Sequence, residues 1–449
     1  MGPQDAQGGN SRQGAREVEA ARRPVISAHV AVIGGGVAGI SCACELAERG
    51  VRVTLLESAK SLGGRVTSFA DPETGMTLDN CQHVLLGCCT EAVDFLRQIG
   101  SLEHVRFHDR LNVIDGRNTL TIEASRLPAP LHLLPSIARS PFFSRRAKAD
   151  LYMLMPALML REAGKGETAR DYMRGIGCTQ ELLERLVEPV VVSALNETSE
   201  QASGKYARMV LVESLLKSRR GYRLGVPTVP QSELIGKPGL AYLESRGCDV
   251  RLRCRVRSVR VRDGAVRWLE LTSGERMEFD RYVAAVPPDA LARMGVNTRG
   301  GERLGWRPIV SAHLIFDGQT PALEPACVVG QPFGWVFSKG PDVGYVEVVA
   351  SAAGDLMDLG KDELLALARR AAATADRVLE DMPLRKGIVC RWRRAPFATL
   401  ACDAHRPAAE TPTSNLVLAG DWTGTDWPAT IESAVRSGRA AASALLEAA

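Results

Sequence analysis

The chain has 449 residues, 45% of them hydrophobic and 24% charged, the profile of a soluble globular protein long enough for two or three domains. A formal net charge of +4 is too small to argue for nucleic-acid binding. No run of about eighteen apolar residues occurs, which excludes a membrane-spanning helix.

Residues 1–28 are polar, rich in Gln, Gly and Arg, and lack the apolar core of a signal peptide, so they read as a disordered tail. The eleven cysteines are scattered and include no C-x-x-C pair. Cys42/Cys44 and Cys88/Cys89 lack the second half of a zinc site, and no metal site is expected. Small buried thiols in a reducing cytoplasm are the reading.

HVAVI, from His29, reads as a short buried strand and runs into Gly34-Gly35-Gly36-Val37-Ala38-Gly39, which fits G-x-G-x-x-G. Ile40, Ala43, Cys44 and Ala47 then fall on one face of a helix, mostly small, as suits close packing on a sheet. Gly50 ends that helix, Val51 to Leu56 forms a second strand, and Glu57 stands at its end. Gly34 allows the tight turn, Gly36 lets the backbone approach a pyrophosphate, and Gly39 lets helix and strand pack closely. The helix N-terminus offers free N–H groups to phosphates, and Glu57 is spaced to accept hydrogen bonds from a ribose. In this order the features predict a dinucleotide site.

Leu62-Gly63-Gly64-Arg65 extends that site, with two glycines for close approach and a forked cationic donor. A G-G-R at this distance after the ribose acid resembles the flavin-binding amine oxidase and carotenoid desaturase superfamily. The resemblance implies FAD rather than NAD, with Gly64 and Arg65 among its contacts.

The segment Leu78 to Cys89, LDNCQHVLLGCC, sets an Asp, an Asn, a Gln and a His between apolar residues. That is costly unless they serve a site or satisfy one another. By the residues alone, a functional segment and a polar turn with His83 as an ordinary core histidine both stand. The segment resembles the D-N-G-Q-H-x-x-L-G stretch of hydroxysqualene dehydroxylases, the squalene-associated FAD enzymes of hopanoid synthesis, with Cys81 in place of the glycine. The resemblance makes His83, and after it Asp79, the candidate catalytic acid or polar substrate contact.

Between Leu127 and Leu160, prolines 128, 130, 135 and 141 break the first half into short pieces. Arg139, Arg145, Arg146 and Lys148 cluster beside Phe142 and Phe143, ahead of the apolar run 151–160. Two arrangements fit: a surface resting on anionic lipid without crossing it, or a buried helix with a solvated basic face. The LPAPLH stretch also resembles the dehydroxylases, which implies a lipid-facing mouth.

Residues 170–225 read mainly as helices, and Pro227 and Pro230 mark the connection onward to short helical pieces around Leu234, Leu240 and Leu243. Leu252, Cys254 and Val256 alternate with arginines, predicting one half-buried strand with a bulge or turn at Ser258. The arginine row lacks the interleaved aromatics of a nucleic-acid surface. The superfamily resemblance places Val256 against the adenine and makes Arg281 to Pro288 a return strand. From 291 to 395, the strand-like IVSAHLIF and GYVEVVASA precede one expected helix, DELLALARRAAATADRVLEDM. Lys339 is read as a solvent-facing turn residue, although some amine oxidases keep a lysine near the flavin.

Near the C-terminus, LVLAG is a buried strand ending at Gly420, with Asp421 at its carboxyl end. A helix follows from Ala429, with Ala434, Gly438 and Ala441 as small contact residues. This resembles the superfamily's second FAD signature, which implies Asp421 at the diphosphate–ribityl region and Ile431 at the isoalloxazine end. P-A-T-I-E resembles the dehydroxylase version, with Ser433 where a glycine is common.

The whole reads as an α/β protein: a Rossmann-like FAD-binding domain (29–105, 230–290, 396–449) with an inserted α+β substrate domain (106–229, 291–395), of the amine oxidase and phytoene desaturase type. The resemblance implies an FAD-dependent oxidoreductase reducing hydroxysqualene to squalene with loss of water. An isoprenoid lipid is the implied substrate, in a cytoplasmic protein that touches the inner membrane peripherally. No second G-x-G-x-x-G is present, so electrons are expected from an external donor, a shared site or another protein. The rivals are a polyene desaturase, an amine oxidase with Trp422 and Trp427 as cage candidates, and a non-catalytic flavin-bound isoprenoid-handling scaffold.

Overall fold

The computed structural model describes residues 28–298, 300–301, 304–401 and 406–447, so all but the last residue of the expected tail lies outside the described residues. His29–Ile33 forms the middle strand of a five-stranded parallel sheet. Across that sheet the order is Asp249–Arg251, Arg52–Leu56, His29–Ile33, Arg281–Ala284 and Leu416–Leu418. Strands buried on both faces need apolar residues throughout, which explains the runs VAVI, YVA and LVL. The helices Val37–Glu48 and Ile431–Glu447 pack against each other beside the sheet. A Cβ added at Gly438 would stand 2.4 Å from the Ala38 carbonyl oxygen, so this crossing requires glycine.

A second, seven-stranded sheet runs in the order Leu384–Trp392, Ile309–Phe316, Tyr345–Ala350, Trp335–Gly340, Ala326–Val328, Arg110–Ile114 and Thr119–Glu123. Its pairs are antiparallel except Ala326–Val328 with Arg110–Ile114. Strand residues alternate between faces, and Val346, Val348 and Ala350 join a core with the helix Lys361–Ala375. Tyr345, Glu347 and Val349 therefore point the other way, toward residues 78–86. Beside this sheet lies a helical lobe including Arg145–Leu160, Ala169–Gly175, Glu188–Leu195 and Gly204–Leu211. Ser144 caps the first of these by accepting from the Ala147 N–H at 3.1 Å.

The structure corrects several expectations. Residues 251–257 do not form one strand: Asp249–Arg251 joins the parallel sheet, and Arg253 then turns at φ +54°. A new strand, Val256–Arg262, pairs with Ala265–Leu271, with a register shift between Val256 and Ser258. The turn wins over the alternating pattern because the Arg253 and Cys254 N–H groups bond to Ala59 and Glu57 carbonyls across the sheet edge. The expected helix 362–382 stops at Ala375 and resumes as Val378–Asp381. Pro227 closes the strand Leu224–Pro227, which pairs with Val105–His108, and the last helix starts at Ile431 rather than Ala429. Phe142 and Phe143 are 2% and 3% exposed, so they belong to the core of the helical lobe and not to its surface.

Candidate functional site

The glycine loop is shaped by what a side chain would strike. Gly34 has φ +105°, and a Cβ on Gly39 would lie 1.9 Å from the Gly34 carbonyl oxygen. At Gly36, the N-cap of the helix Val37–Glu48, an added Cβ meets nothing within 4 Å and no side chain caps the helix. Open space thus faces a helix start with uncapped N–H groups, the surroundings an anionic diphosphate requires. The Gly63 N–H bonds the Gly35 carbonyl at 2.8 Å, holding the G-G-R segment beside the loop. Glu57 is 9% exposed; one carboxylate oxygen accepts from the Gly35 N–H and the other from the Ala59 N–H, each at 2.6 Å. It stiffens the loop and still presents an acid at the strand end. Val256 lies close by, since the Cys254 N–H bonds the Glu57 carbonyl at 2.8 Å.

Arg65 joins the two ends of the sequence. It pairs with Asp421, donates to the Ala395 carbonyl at 2.8 Å, and lies 5.5 and 5.4 Å from the rings of Trp306 and Phe397. Those rings lie with centroids 4.0 Å apart and tilted by 30°, an aromatic pair that no local motif announced. Asp421 is 4% exposed and follows Gly420, whose φ of +153° makes the turn out of the strand Leu416–Leu418; Ile431 opens the closing helix. Trp422, in contrast, is buried with its indole N–H donating to the Val286 carbonyl, and Trp427 stacks on Arg436, so the two do not form a cage. Ser433 needs no glycine: it lies in the helix and its hydroxyl bonds Thr425 at 2.6 Å. Beyond Arg65, the Asn80 side chain donates to the Arg65 carbonyl at 2.7 Å, while its own carbonyl oxygen is buried without a partner. Helix start, acid, glycine-lined approach and orphaned acceptor all fit a flavin dinucleotide.

The segment 79–83 is clamped between this cradle and the large sheet. Asp79 is 2% exposed and accepts from Ser68 Oγ and the Gln231 N–H, both at 2.8 Å, and from Lys339 Nζ at 3.1 Å. The Lys339 side chain is only 11% exposed, which overturns its reading as a solvent-facing turn residue. It occupies a bulge, because Ser338 pairs with Val346 and Gly340 with Tyr345, and the extra residue is turned toward Asp79 and Gln82. Cys81 is buried and takes no positive φ, so this position works without the glycine expected there. His83 Nδ1 is 2.9 Å from the Cys81 carbonyl, which only accepts, so the proton belongs on Nδ1 and Nε2 keeps its lone pair. Burial holds this imidazole below its ordinary pKa, and it is neutral near pH 7.

Glu347 escaped the sequence reading altogether. The signal was there: a lone carboxylate in YVEVVA, a strand otherwise fit for burial on both faces. It is fully buried between His313 and Phe337 on neighbouring strands, and one oxygen accepts from the Gln82 N–H at 2.7 Å. Around this polar patch Cys81, Leu224, Phe337 and Val349 form an apolar cluster with Ile309 and Trp335. A further apolar cavity lies in the helical lobe, lined by Leu133, Leu134, Leu154, Met155 and Leu158.

The family model for flavin-containing amine oxidoreductases matches residues 37–446. Hydroxysqualene dehydroxylase from Zymomonas mobilis subsp. mobilis is 30% identical over 424 residues, covering 92% of this chain and 97% of its own. The Rhodopseudomonas palustris enzyme of that name is 31% identical over 435 residues, covering 94% and 99%. Among solved structures, a putrescine oxidase with putrescine bound superposes with a TM-score of 0.72 at 15% identity, covering 94% of this chain and 100% of its own, a likeness of fold. The chain belongs to the flavin-containing amine oxidoreductases, in their hydroxysqualene dehydroxylase group, and is an FAD-dependent oxidoreductase.

Proposed function

We propose that this protein converts hydroxysqualene to squalene and water. The observation that carries the reading is a buried polar patch, Asp79, Gln82, His83 and Lys339, set against an apolar cluster, in a chain similar end to end to proteins of that activity. When bound, reduced FAD supplies the hydride equivalent. Gly34, Gly36, Gly39, Glu57, Gly64, Arg65, Val256, Gly420, Asp421 and Ile431 hold the cofactor, the N–H groups at the helix start meeting its phosphates. The hydroxyl to be lost is allylic, so its departure as water leaves a delocalised cation. His83 is the polar contact for that hydroxyl, receiving its hydrogen at Nε2, and Asp79 keeps the segment and Lys339 in place. Cys81, Leu224, Phe337 and Val349 exclude water around the cation. The cofactor lobe comprises 29–105, 230–290 and 396–449, and the substrate lobe 106–229 and 291–395; an external donor recharges the flavin. The test is anaerobic: reduced holoenzyme mixed with hydroxysqualene should yield one squalene per flavin, and oxidation of flavin without squalene would overturn the assignment.

We also propose that the protein is cytoplasmic and rests on the anionic inner face of a membrane. Leu127, Leu131, Tyr152, Met153, Met159 and Leu160 are exposed large hydrophobic residues of the helical lobe, and Met153 and Leu160 reach 79% and 83%. They neighbour Arg139, Arg145, Arg146 and Lys148 in sequence, a pairing of apolar and cationic groups that suits anionic lipid. No helix among the described residues is long and apolar enough to cross a membrane. Flotation with phosphatidylglycerol vesicles should be lost when the four charges are reversed; unchanged flotation would remove this part of the proposal.

A further inference from the structure

The proposed reaction consumes one proton per turnover, and the groups suggested by the sequence do not supply it. His83 is neutral, with its Nδ1 proton held by the Cys81 carbonyl, and Asp79 accepts three hydrogen bonds. Two other groups stand where a proton can be stored. Lys339 Nζ has three N–H donors and commits two of them, to Asp79 and to the Gln82 side-chain carbonyl. Glu347 is 0% exposed, and its second carboxylate oxygen is buried with no partner, an arrangement that favours a protonated carboxyl. Gln82 connects the two residues: Glu347 grips its backbone N–H and Lys339 its side-chain oxygen.

We propose, on the reading above as a dehydroxylase, that Lys339 donates the proton that turns the departing hydroxyl into water, and that Glu347 is the positioning residue that restores it. In the step, the Lys339 Nζ–H bond breaks as an O–H bond forms, the substrate C–O bond breaks, and water leaves. The allylic carbon gains a C–H bond with the hydride equivalent of reduced flavin, which is thereby oxidised. The neutral Lys339 amine then regains a proton from the Glu347 carboxyl, carried by a solvent water because the two side chains do not touch, and Glu347 is reprotonated from solvent. The bulge at Lys339 is what aims the ammonium away from the strand ladder and toward residues 79–82.

The groups facing Glu347 agree with this charge state. Asp79 and Cys81 face it from the segment beneath, Lys339 and His313 from the neighbouring strands, Tyr345 from its own strand and Cys390 from the outer one. Burial raises the Glu347 carboxyl to about 8, with Lys339 opposing the rise and Asp79 adding to it. Burial also holds His313 down at about 4, so it stays neutral and adds no cation. At neutral pH the patch holds one ion pair and one spare carboxyl proton, the reverse of what a substrate-oxidising site needs for proton removal.

The experiment is repeated turnover of hydroxysqualene by the holoenzyme, kept reduced with excess dithionite, across pH, with squalene quantified. Wild type should slow as pH rises through about 8, where Glu347 loses its proton. Glu347→Gln, which keeps the acceptor for the Gln82 N–H, should flatten that limb at unchanged flavin content and apparent substrate affinity. Lys339→Met should lower the rate about 100-fold, the scale of a lost general acid, and Lys339→Arg, whose guanidinium keeps the charge but does not release its proton, should not recover it. A wild-type rate flat across pH 8, or a limb retained in Glu347→Gln, would overturn the assignment while the dehydroxylase reading stood. Wild type that makes no squalene would instead remove the reading beneath it.

Discussion

In the glycine cradle, the polar groups that face open space are largely backbone: N–H groups at the helix start, reached across Gly36 and backed by Gly34 and Gly39. In the patch behind residues 79–83 they are side chains, drawn from Asp79, Gln82, Lys339 and Glu347 on segments far apart in sequence. The first is set by close packing at Gly34 and Gly39, where an added Cβ would strike backbone. The second is set by charge and burial, and its carboxyls differ only in surroundings: Asp79 faces an ammonium and two further donors, whereas Glu347 has an oxygen with nothing to bond.

Substitutions that separate steric from electrostatic dependence sharpen this contrast. The largest effect is expected from Gly39→Val, whose Cβ would fall 1.9 Å from a backbone oxygen that cannot retreat. Purified protein should carry no flavin absorbance; normal flavin content would mean that the loop is not a close-packed cradle. Asp79→Asn leaves the Lys339 ammonium nearly buried without its counter-ion, which should cost about 3 kcal/mol in urea unfolding. A loss near zero would mean that the pair is solvated rather than sealed. Arg65→Lys keeps the charge but loses the fork and the stacking on Trp306 and Phe397, and should weaken FAD binding about tenfold in a titration of apoprotein. Equal affinity would show that the cradle alone sets binding.

The smallest effect concerns Lys386, which pairs with Asp71 and Glu73 from Leu384–Trp392, an edge strand of the seven-stranded sheet. The Lys386 ammonium and Thr74 hold Asp71 down at about 2, below its unfolded value, so the bond stabilises the fold above that value. The contribution disappears as pH falls toward about 2. Lys386→Gln should lower Tm slightly at pH 7 and leave it unchanged near pH 2. A gap that persists in acid would assign the effect to packing of the lysine stem instead.

Much of the cradle was legible because its causes are local. Gly34 to Gly39 and Glu57 follow one another in a single strand–turn–helix–strand unit, and Gly420-Asp421 repeats the logic of a turn at a strand end. Arg65 with Asp421 was legible only as two separate contacts, and their bond comes from the sheet that sets Leu416–Leu418 beside Arg281–Ala284. The break at Arg253 defeated a clean period-2 pattern because two of its N–H groups find carbonyls on the first βαβ unit, a choice no window of sequence exposes.

What the sequence by itself determined is the cofactor class and the α/β architecture, since glycine positions and apolar runs act through sterics and burial within a few residues. What only the tertiary structure decided is the make-up and burial of the polar patch. A strand bulge turns Lys339 inward, and a fully buried strand position keeps Glu347 from water. Charge in a protein is set by surroundings in space, and those surroundings come from residues hundreds of positions apart.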